Sequence, residues 1–172
     1  MKDLGIGKLV SELARTNTEL WHEEDKARVG DVPAIAAAKK NIDKLNQQRN
    51  DLIEKLDEAI LTEVSKSNHV SSSQQINSET PGSIVDRISI MSLKVYHMAE
   101  DSCRDDIDST HRERSLHRLA VLKLQRYDLY NALGQLLDDY QSGKKTMKLY
   151  KQFKMYNDPS LNPELYRTQQ QA

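Results

Sequence analysis

The sequence predicts an all-α protein, an up-down four-helix bundle with a short extra C-terminal helix and an extended tail. The composition is 30% charged and 37% hydrophobic, with only six glycines, and it is rich in good helix formers. Apolar residues recur every three or four positions through four long segments, which indicates amphipathic helices. The 172 residues are enough for one domain with a sizeable core.

The first predicted helix runs from Asp3 to Arg28. Gly30 is expected to end it in a left-handed conformation, while Asp31 and Pro33 supply the cap and the first turn of the next helix. Because the connection is short, the two helices should be antiparallel neighbours. The apolar stripe of the first helix consists of Ile6, Leu9, Val10, Leu13, Leu20 and Trp21.

The second predicted helix extends to Val64 and is about 50 Å long. Residues 65–79 are rich in Ser, Gln and Asn, with little to bury, and are therefore predicted to form a mobile loop. Thr80 and Pro81 then cap and begin a third helix that reaches Cys103. Two adjacent apolar rows on this helix predict a broad buried face.

Thr110 and Glu113 have the spacing of a capping box, so the fourth helix is predicted to begin there and to end at Gly143. A shorter helix should follow around Met147, Tyr150 and Phe153. Residues 1–143 are therefore assigned to the bundle, and residues 144–172 to a C-terminal helix and tail that pack on the bundle or on a second chain. The apolar side chains of this tail exceed what one short helix can hide, which predicts a homodimer.

Charge and cysteine content exclude several classes of protein. The net charge is −1, from 25 basic and 26 acidic residues that are interspersed, so no nucleic-acid partner is expected. No segment has the length and hydropathy of a membrane span, and charged residues interrupt the N-terminal segment where a signal peptide would be apolar. Cys103 is the only cysteine, which suits a reducing compartment. We therefore expect a cytoplasmic protein.

Metal and catalytic sites are not favoured. A di-metal bundle needs inward carboxylates and Glu-x-x-His pairs, whereas this chain has only the reversed spacing, in His22 with Asp25 and in His97 with Glu100. Glu54 and Asp57 could form an acidic magnesium pair, but they lie off the apolar stripe. We predict no catalytic residue, no metal and no cofactor, and the chain leans away from being an enzyme.

Arginine occupies leucine positions in two apolar stripes, at Arg49 and Arg126, and counting helical turns places both at one level of the bundle. Glu12 and Asp86 fall near that level. Such a layer can set helix register by neutralising its own charges, or it can bind a phosphate- or carboxylate-bearing ligand. The candidate ligand-binding residues are Glu12, Asn17, Trp21, Glu24, Arg49, Asp86 and Arg126.

Four segments of the chain read LWHEEDKAR, IAAAKKNIDKLNQQRNDLIEKLD, ETPGSIVDRISIMSLKVYHM and YNDPSLNPELY. Together they resemble an uncharacterised bacterial family of helical proteins, domain of unknown function 4254. The resemblance implies a bacterial, cytoplasmic helical bundle with a loose link to cell-surface glycan assembly. It assigns no catalytic residue, because the family has none assigned.

The predicted function is that of a non-catalytic binding or adaptor protein in a bacterial cytoplasmic pathway, with surface-glycan biosynthesis as the pathway that the resemblance suggests. The alternative is an enzyme that acts on a phosphorylated or nucleotide-linked small molecule in the polar bundle interior. The expected partners are a second copy of the chain, another protein or an anionic small molecule.

Overall fold

The computed structural model describes residues 5–66, 75–151, 153, 160–164 and 167. It contains four helices: α1 (Ile6–Val29), α2 (Val32–Ser65), α3 (Pro81–Ser102) and α4 (Ser109–Gln141). No strand occurs in these residues, so the predicted all-α class is confirmed. No helix among them is both long and apolar enough to cross a membrane.

Helix caps explain where the helices begin. Asp31 accepts a hydrogen bond from the Ala34 amide at 3.0 Å, and Thr80 accepts one from the Ser83 amide at 3.2 Å, at the two positions where the sequence predicts caps. The predicted cap of α4 is wrong, because Asp108 accepts from the His111 amide at 2.7 Å and the helix begins before Thr110.

The predicted left-handed stop after α1 is also wrong. Gly30 has a φ of −79° and a ψ of 164°, which is extended backbone. The capping residue of α2 follows directly, and an extended segment carries the chain from one helix into that cap without a reversed turn.

The helices pack first as two pairs. Gln48 donates to Thr16 at 3.3 Å, and Asn41 donates to Glu23 at 3.0 Å, so α1 and α2 run antiparallel along their length. The larger helix contacts join α1 to α2 and α3 to α4, and smaller ones join α3 to α1 and α2. Closure of all four helices into an up-down bundle stays a prediction. The buried core contains Leu9, Leu13, Leu52, Leu56, Ile60, Ile84, Ile88, Leu136 and Tyr140.

A buried carboxylate sets the start of α3 against α2. Asp57 is 2% exposed and accepts a hydrogen bond from the Gly82 amide at 2.7 Å. Burial raises the pKa of Asp57, although hydrogen bonds from Thr80 and Gly82 act in the opposite direction. The sequence analysis placed Asp57 off the core stripe, which is wrong because α3 begins directly over it.

Glu54, the other carboxylate of the acidic pair considered for magnesium, contacts a different part of the chain. Glu54 lies 3.1 Å from the Lys151 ammonium group, so it forms an ion pair with the segment after α4. The two carboxylates therefore serve different contacts and do not converge on a shared site.

The predicted extra helix around Met147 is absent from residues 146–151 and 153. Gly143, with a φ of 73°, ends α4 in the left-handed region. The Thr146 amide then donates to the Gln75 carbonyl at 2.8 Å, so this backbone bonds to the segment before α3 and does not form a helical turn. Residues 152, 154–159, 165–166 and 168–172 of the predicted C-terminal segment and residues 67–74 of the predicted mobile loop lie outside the described residues.

Candidate functional site

A polar pocket of about 410 Å³ lies between α1, α2 and α3. We call it the α1–α3 pocket. Four of the seven predicted site residues line it, all from α1 and α2, and a fifth, Asp86 of α3, contacts two of these four. The lining residues are Asn17, Leu20, Trp21, Glu24, Asp25, Arg28, Asn46, Arg49, Ile90 and Leu93.

Asn17 lies at the bottom of the pocket and is 3% exposed. Its Nδ2 group donates to Asp86 Oδ1 at 2.8 Å and also to the Ser89 hydroxyl. Its Oδ1 atom is buried and accepts no hydrogen bond from the described residues. A buried acceptor without a partner costs about 1–3 kcal/mol, so the fold carries an unmet acceptor at this point.

Arg49 carries a buried donor that is also unpaired. Its Nε lies 3.9 Å from Asp86 Oδ1, within ion-pair range and beyond hydrogen-bond distance. The Nε atom is buried and has no hydrogen-bond partner among the described residues. Two side chains that line the pocket therefore carry one unpaired donor and one unpaired acceptor, and both side chains also contact Asp86.

The rim of the pocket is charged and partly exposed. Arg28 Nη1 donates to the Glu24 carbonyl at 2.6 Å and lies 3.3 Å from Glu24 Oε2. Asp25 follows Glu24 on the same helix and lines the same pocket. With Arg49 and Asp86 included, three carboxylates and two guanidinium groups surround the space.

Trp21 forms an aromatic wall between two pockets. Its ring stacks on His97, with the ring centroids 4.6 Å apart and the planes 13° apart. Trp21 and His97 also line a second, largely apolar pocket of about 490 Å³ against α4. His97 Nδ1 lies 3.0 Å from Glu100, so the reversed histidine–acid spacing in α3 forms an ordinary contact within one helix.

Besides Asp86, two predicted site residues do not line the α1–α3 pocket. Glu12 lies 3.9 Å from Lys8 of the same helix, in a largely solvent-exposed pair. Arg126 belongs to α4, which packs mainly on α3. The two-arginine layer is therefore not assembled around this pocket, and the ligand-binding role of the seven residues stays a prediction.

Sequence reasoning did not assign Asp25, Arg28 or Asn46 to the site. Asn46 lies three residues before Arg49, on the same face of α2, and this spacing could have identified it. Asp25 and Arg28 lie at the edge of the α1 stripe, and only the angle at which α3 approaches α1 decides that they face the pocket.

A larger space than the α1–α3 pocket is an apolar groove of about 910 Å³. We call it the α1–α4 groove, and residues of all four helices line it, including Val10 of α1 and Leu137 of α4. No group of three or more His, Cys, Asp or Glu side chains in the described part of the chain could hold a metal ion.

Comparison with known proteins identifies a family. The family model described as Protein of unknown function (DUF4254) matches residues 7–149, which include every residue that lines the α1–α3 pocket. This match confirms the resemblance seen in the sequence segments, of which the fourth lies beyond the matched range. Searches of the curated proteins and of the solved structures gave no match.

Proposed function

We propose that this chain, which belongs to the DUF4254 family of proteins of unknown function, is a non-catalytic binding protein for a small polyhydroxylated ligand such as a sugar. The observation that carries the proposal is the pair of buried, unpaired polar atoms, Asn17 Oδ1 and Arg49 Nε, on side chains that line the α1–α3 pocket. Burying polar groups without partners is unfavourable, and a ligand that bonds to both atoms after a small rotation of the two side chains recovers that free energy.

Hydroxyl groups fit these two atoms better than other common ligand groups. A hydroxyl both donates and accepts, so one or two neighbouring hydroxyls can donate to Asn17 Oδ1 and accept from Arg49 Nε. Trp21 offers an apolar aromatic wall, against which the C–H face of a sugar ring can pack. The 410 Å³ volume lies toward the lower end of the range for ligand pockets, about 300–1,000 Å³.

The charges disfavour a free phosphate. A phosphate-bearing ligand was one predicted role of the two arginines, but Arg126 does not line the pocket and Arg49 faces Asp86 at 3.9 Å. A phosphate dianion at this point would also meet Glu24 and Asp25, which repel it. A neutral ligand avoids this repulsion.

We extend the proposal to the setting of the protein. The lone Cys103 is exposed and unpaired, which suits the bacterial cytoplasm. A sugar ligand agrees with the pathway suggested by the family resemblance, surface-glycan biosynthesis. We also propose that the chain is a homodimer, and that an adaptor role, where present, uses surfaces other than the α1–α3 pocket.

A thermal-shift screen tests the ligand. The protein is melted with neutral monosaccharides, sugar phosphates, nucleotide sugars and inorganic phosphate at matched ionic strength. A ligand at about 100 times its Kd stabilises the fold by about 2.7 kcal/mol, which corresponds to roughly 5–10 °C. The proposal expects such a shift from a neutral or sugar-linked compound and none from phosphate alone.

Two variants assign the response to the pocket. Arg49→Met removes the unpaired donor and should abolish the shift. Arg87→Met removes an exposed arginine of α3 that pairs with Glu79 at 2.6 Å, outside the pocket, and should retain it. A shift that survives Arg49→Met, or a response to phosphate alone, contradicts the proposal. Conversion of a phosphorylated sugar to product would favour the enzyme alternative.

A further inference from the structure

One face of α4 carries exposed apolar side chains, and only its last large residue, Leu137, packs against the core. The buried side of α4 carries Leu119, Leu136 and Tyr140. The neighbouring side exposes large apolar residues, with Tyr127 62% and Tyr130 54% exposed. Isolated exposed apolar residues are common, but a continuous row of them marks an interaction surface.

This row follows a heptad pattern. Its positions alternate in steps of four and three residues, which is the spacing of the two core positions of a coiled coil. We call this row the α4 seam, and it spans about 32 Å at 1.5 Å per residue. The seam consists of Leu116, Ala120, Lys123, Tyr127, Tyr130, Gly134 and Leu137.

We propose that the α4 seam binds the same seam of a second copy of this chain, with the two helices antiparallel about a two-fold axis near Gln125. In that register Tyr130 faces the small Ala120 of the other copy, and Leu116 faces Gly134. Apart from the adjoining turns of α4, no described residue lies within 4 Å of a Cβ atom placed on Gly134, so space for a large partner side chain is present. Large side chains therefore meet small ones across the helix pair, as close packing requires.

A third pair in this register is Lys123 with Tyr127, while Leu137 lies opposite Glu113 at the two ends of the contact. The methylene groups of a lysine can cover a tyrosine ring while its ammonium group stays in water. Asp128 follows Tyr127 on the same helix, within reach of that ammonium group. A parallel arrangement would instead place Lys123 beside Lys123 and Tyr130 beside Tyr130, which repel and crowd each other.

Charge along α4 also favours the antiparallel arrangement. The half before Tyr127 carries five arginines and lysines and one glutamate, whereas the half after it carries three aspartates and no basic residue. Asp139 already pairs with Lys145 at 3.1 Å, which leaves Asp128 and Asp138 to face a partner. Antiparallel packing places the basic half of each helix beside the acidic half of the other, and parallel packing opposes like charges.

The α1–α4 groove borders the same surface. Tyr130 and Leu137 belong to the seam and also line the groove. A partner helix on the seam therefore covers the open edge of the groove, which extends the apolar contact beyond α4 itself. This inference rests on the proposed homodimer and assigns its surface.

Light scattering with two matched variants tests the surface. At micromolar concentration, light scattering coupled to size-exclusion chromatography should give a mass twice that of the 19.7 kDa chain. Ala120→Glu places a charge opposite Tyr130 and should raise the dissociation constant at least about tenfold, since 1.4 kcal/mol corresponds to that factor. Ala132→Glu makes the same change at an exposed alanine of α4 outside the seam and should leave the dimer intact.

Disulfide trapping tests the direction of the helices. With Cys103→Ser as background, Ala120→Cys and Tyr130→Cys are prepared separately, mixed under reducing conditions and then oxidised. Antiparallel seams bring the two cysteines together, so only the mixture should form a cross-linked dimer. In either variant alone the two cysteines lie about 15 Å apart along the helices, too far for a disulfide.

The outcomes separate this surface from the broader proposals. A monomer at about 100 µM overturns both the homodimer and the seam. A dimer that tolerates Ala120→Glu, or cross-linking of either variant alone, overturns the antiparallel seam only. None of these measurements involves the α1–α3 pocket, so their results neither support nor contradict the proposed ligand site.

Discussion

Replacing Gly82 by alanine tests how α3 is held against α2. Gly82 is the second residue of α3, and its amide donates to the buried Asp57 carboxylate at 2.7 Å. A Cβ atom at this position would lie 2.7 Å from the Ile53 carbonyl oxygen and 2.8 Å from Asp57 Oδ1. Both distances are below van der Waals contact, and the carbonyl belongs to the backbone of a long helix. The substitution should therefore push α3 away from α2.

The expected cost follows from three contributions. Overpacking in a close contact costs about 1–3 kcal/mol. A weakened hydrogen bond to a charged, buried group costs about 1.5–3 kcal/mol. Alanine is favoured over glycine in a helix by about 0.5–1 kcal/mol, which offsets part of this loss. The net destabilisation of Gly82→Ala should be roughly 2–5 kcal/mol, or at least about 4 °C in melting temperature.

Urea unfolding followed by circular dichroism measures this cost, and Gly7 provides a matched control. Gly7 is the second residue of α1, and a Cβ atom there would have no described residue within 4 Å apart from the adjoining turn of its own helix. Gly7→Ala should be neutral or stabilise the protein by up to about 1 kcal/mol. Equal unfolding midpoints for Gly82→Ala and Gly7→Ala would refute the close approach of α3 to α2.

Other predictions concern the polar contacts. Arg49→Met should cost about 1 kcal/mol or less in urea unfolding, because its 3.9 Å contact with Asp86 is long, whereas a closed buried ion pair would cost about 3–5 kcal/mol. Hydrogen bonds from Ser115 and His111 lower the pKa of Asp101 from 3.8 to about 2. These hydrogen bonds should therefore stabilise the α3–α4 connection fully above pH 3.8, and the stabilisation should be lost as the pH falls toward 2. Ser115→Ala should reduce this acid dependence in melting curves recorded between pH 2 and pH 5. Asp57 has a raised pKa, so its ionisation should disfavour the fold as pH rises above 3.8, and Asp57→Asn should remove that dependence from the same curves.

The class and the helices could be predicted because each depends on local signals. Apolar spacing identified all four helices, and the caps at Asp31 and Thr80 were found because short polar residues before a proline mark a helix start. The start of α4 was missed because Asp108 and Thr110 both have cap chemistry, and only the backbone decides between them. The extra helix around Met147 was wrongly predicted because a tertiary hydrogen bond from Thr146 to Gln75 replaces local ones.

The candidate site was predictable only within a helix and its neighbours. Asn17, Trp21 and Arg49 were found because each continues an apolar stripe that faces the interior. Arg126 was grouped with them by counting turns, which assumes that every helix faces a common axis. Helix α4 packs mainly on α3, so a shared level along the bundle does not bring Arg126 and Arg49 to one pocket.

The most direct test of the proposed function observes two side chains that line the α1–α3 pocket, Trp21 and Arg49. Trp21 is the only tryptophan, so its indole N–H gives a single assignable signal in a proton–nitrogen NMR spectrum, and Arg49→Met identifies the Nε–H signal of Arg49. Titration with the sugar that gives the largest thermal shift should move both signals along one binding curve, with the same Kd. Movement of neither signal, while the melting temperature still rises, would show that the ligand binds elsewhere and would contradict the α1–α3 pocket as the binding site.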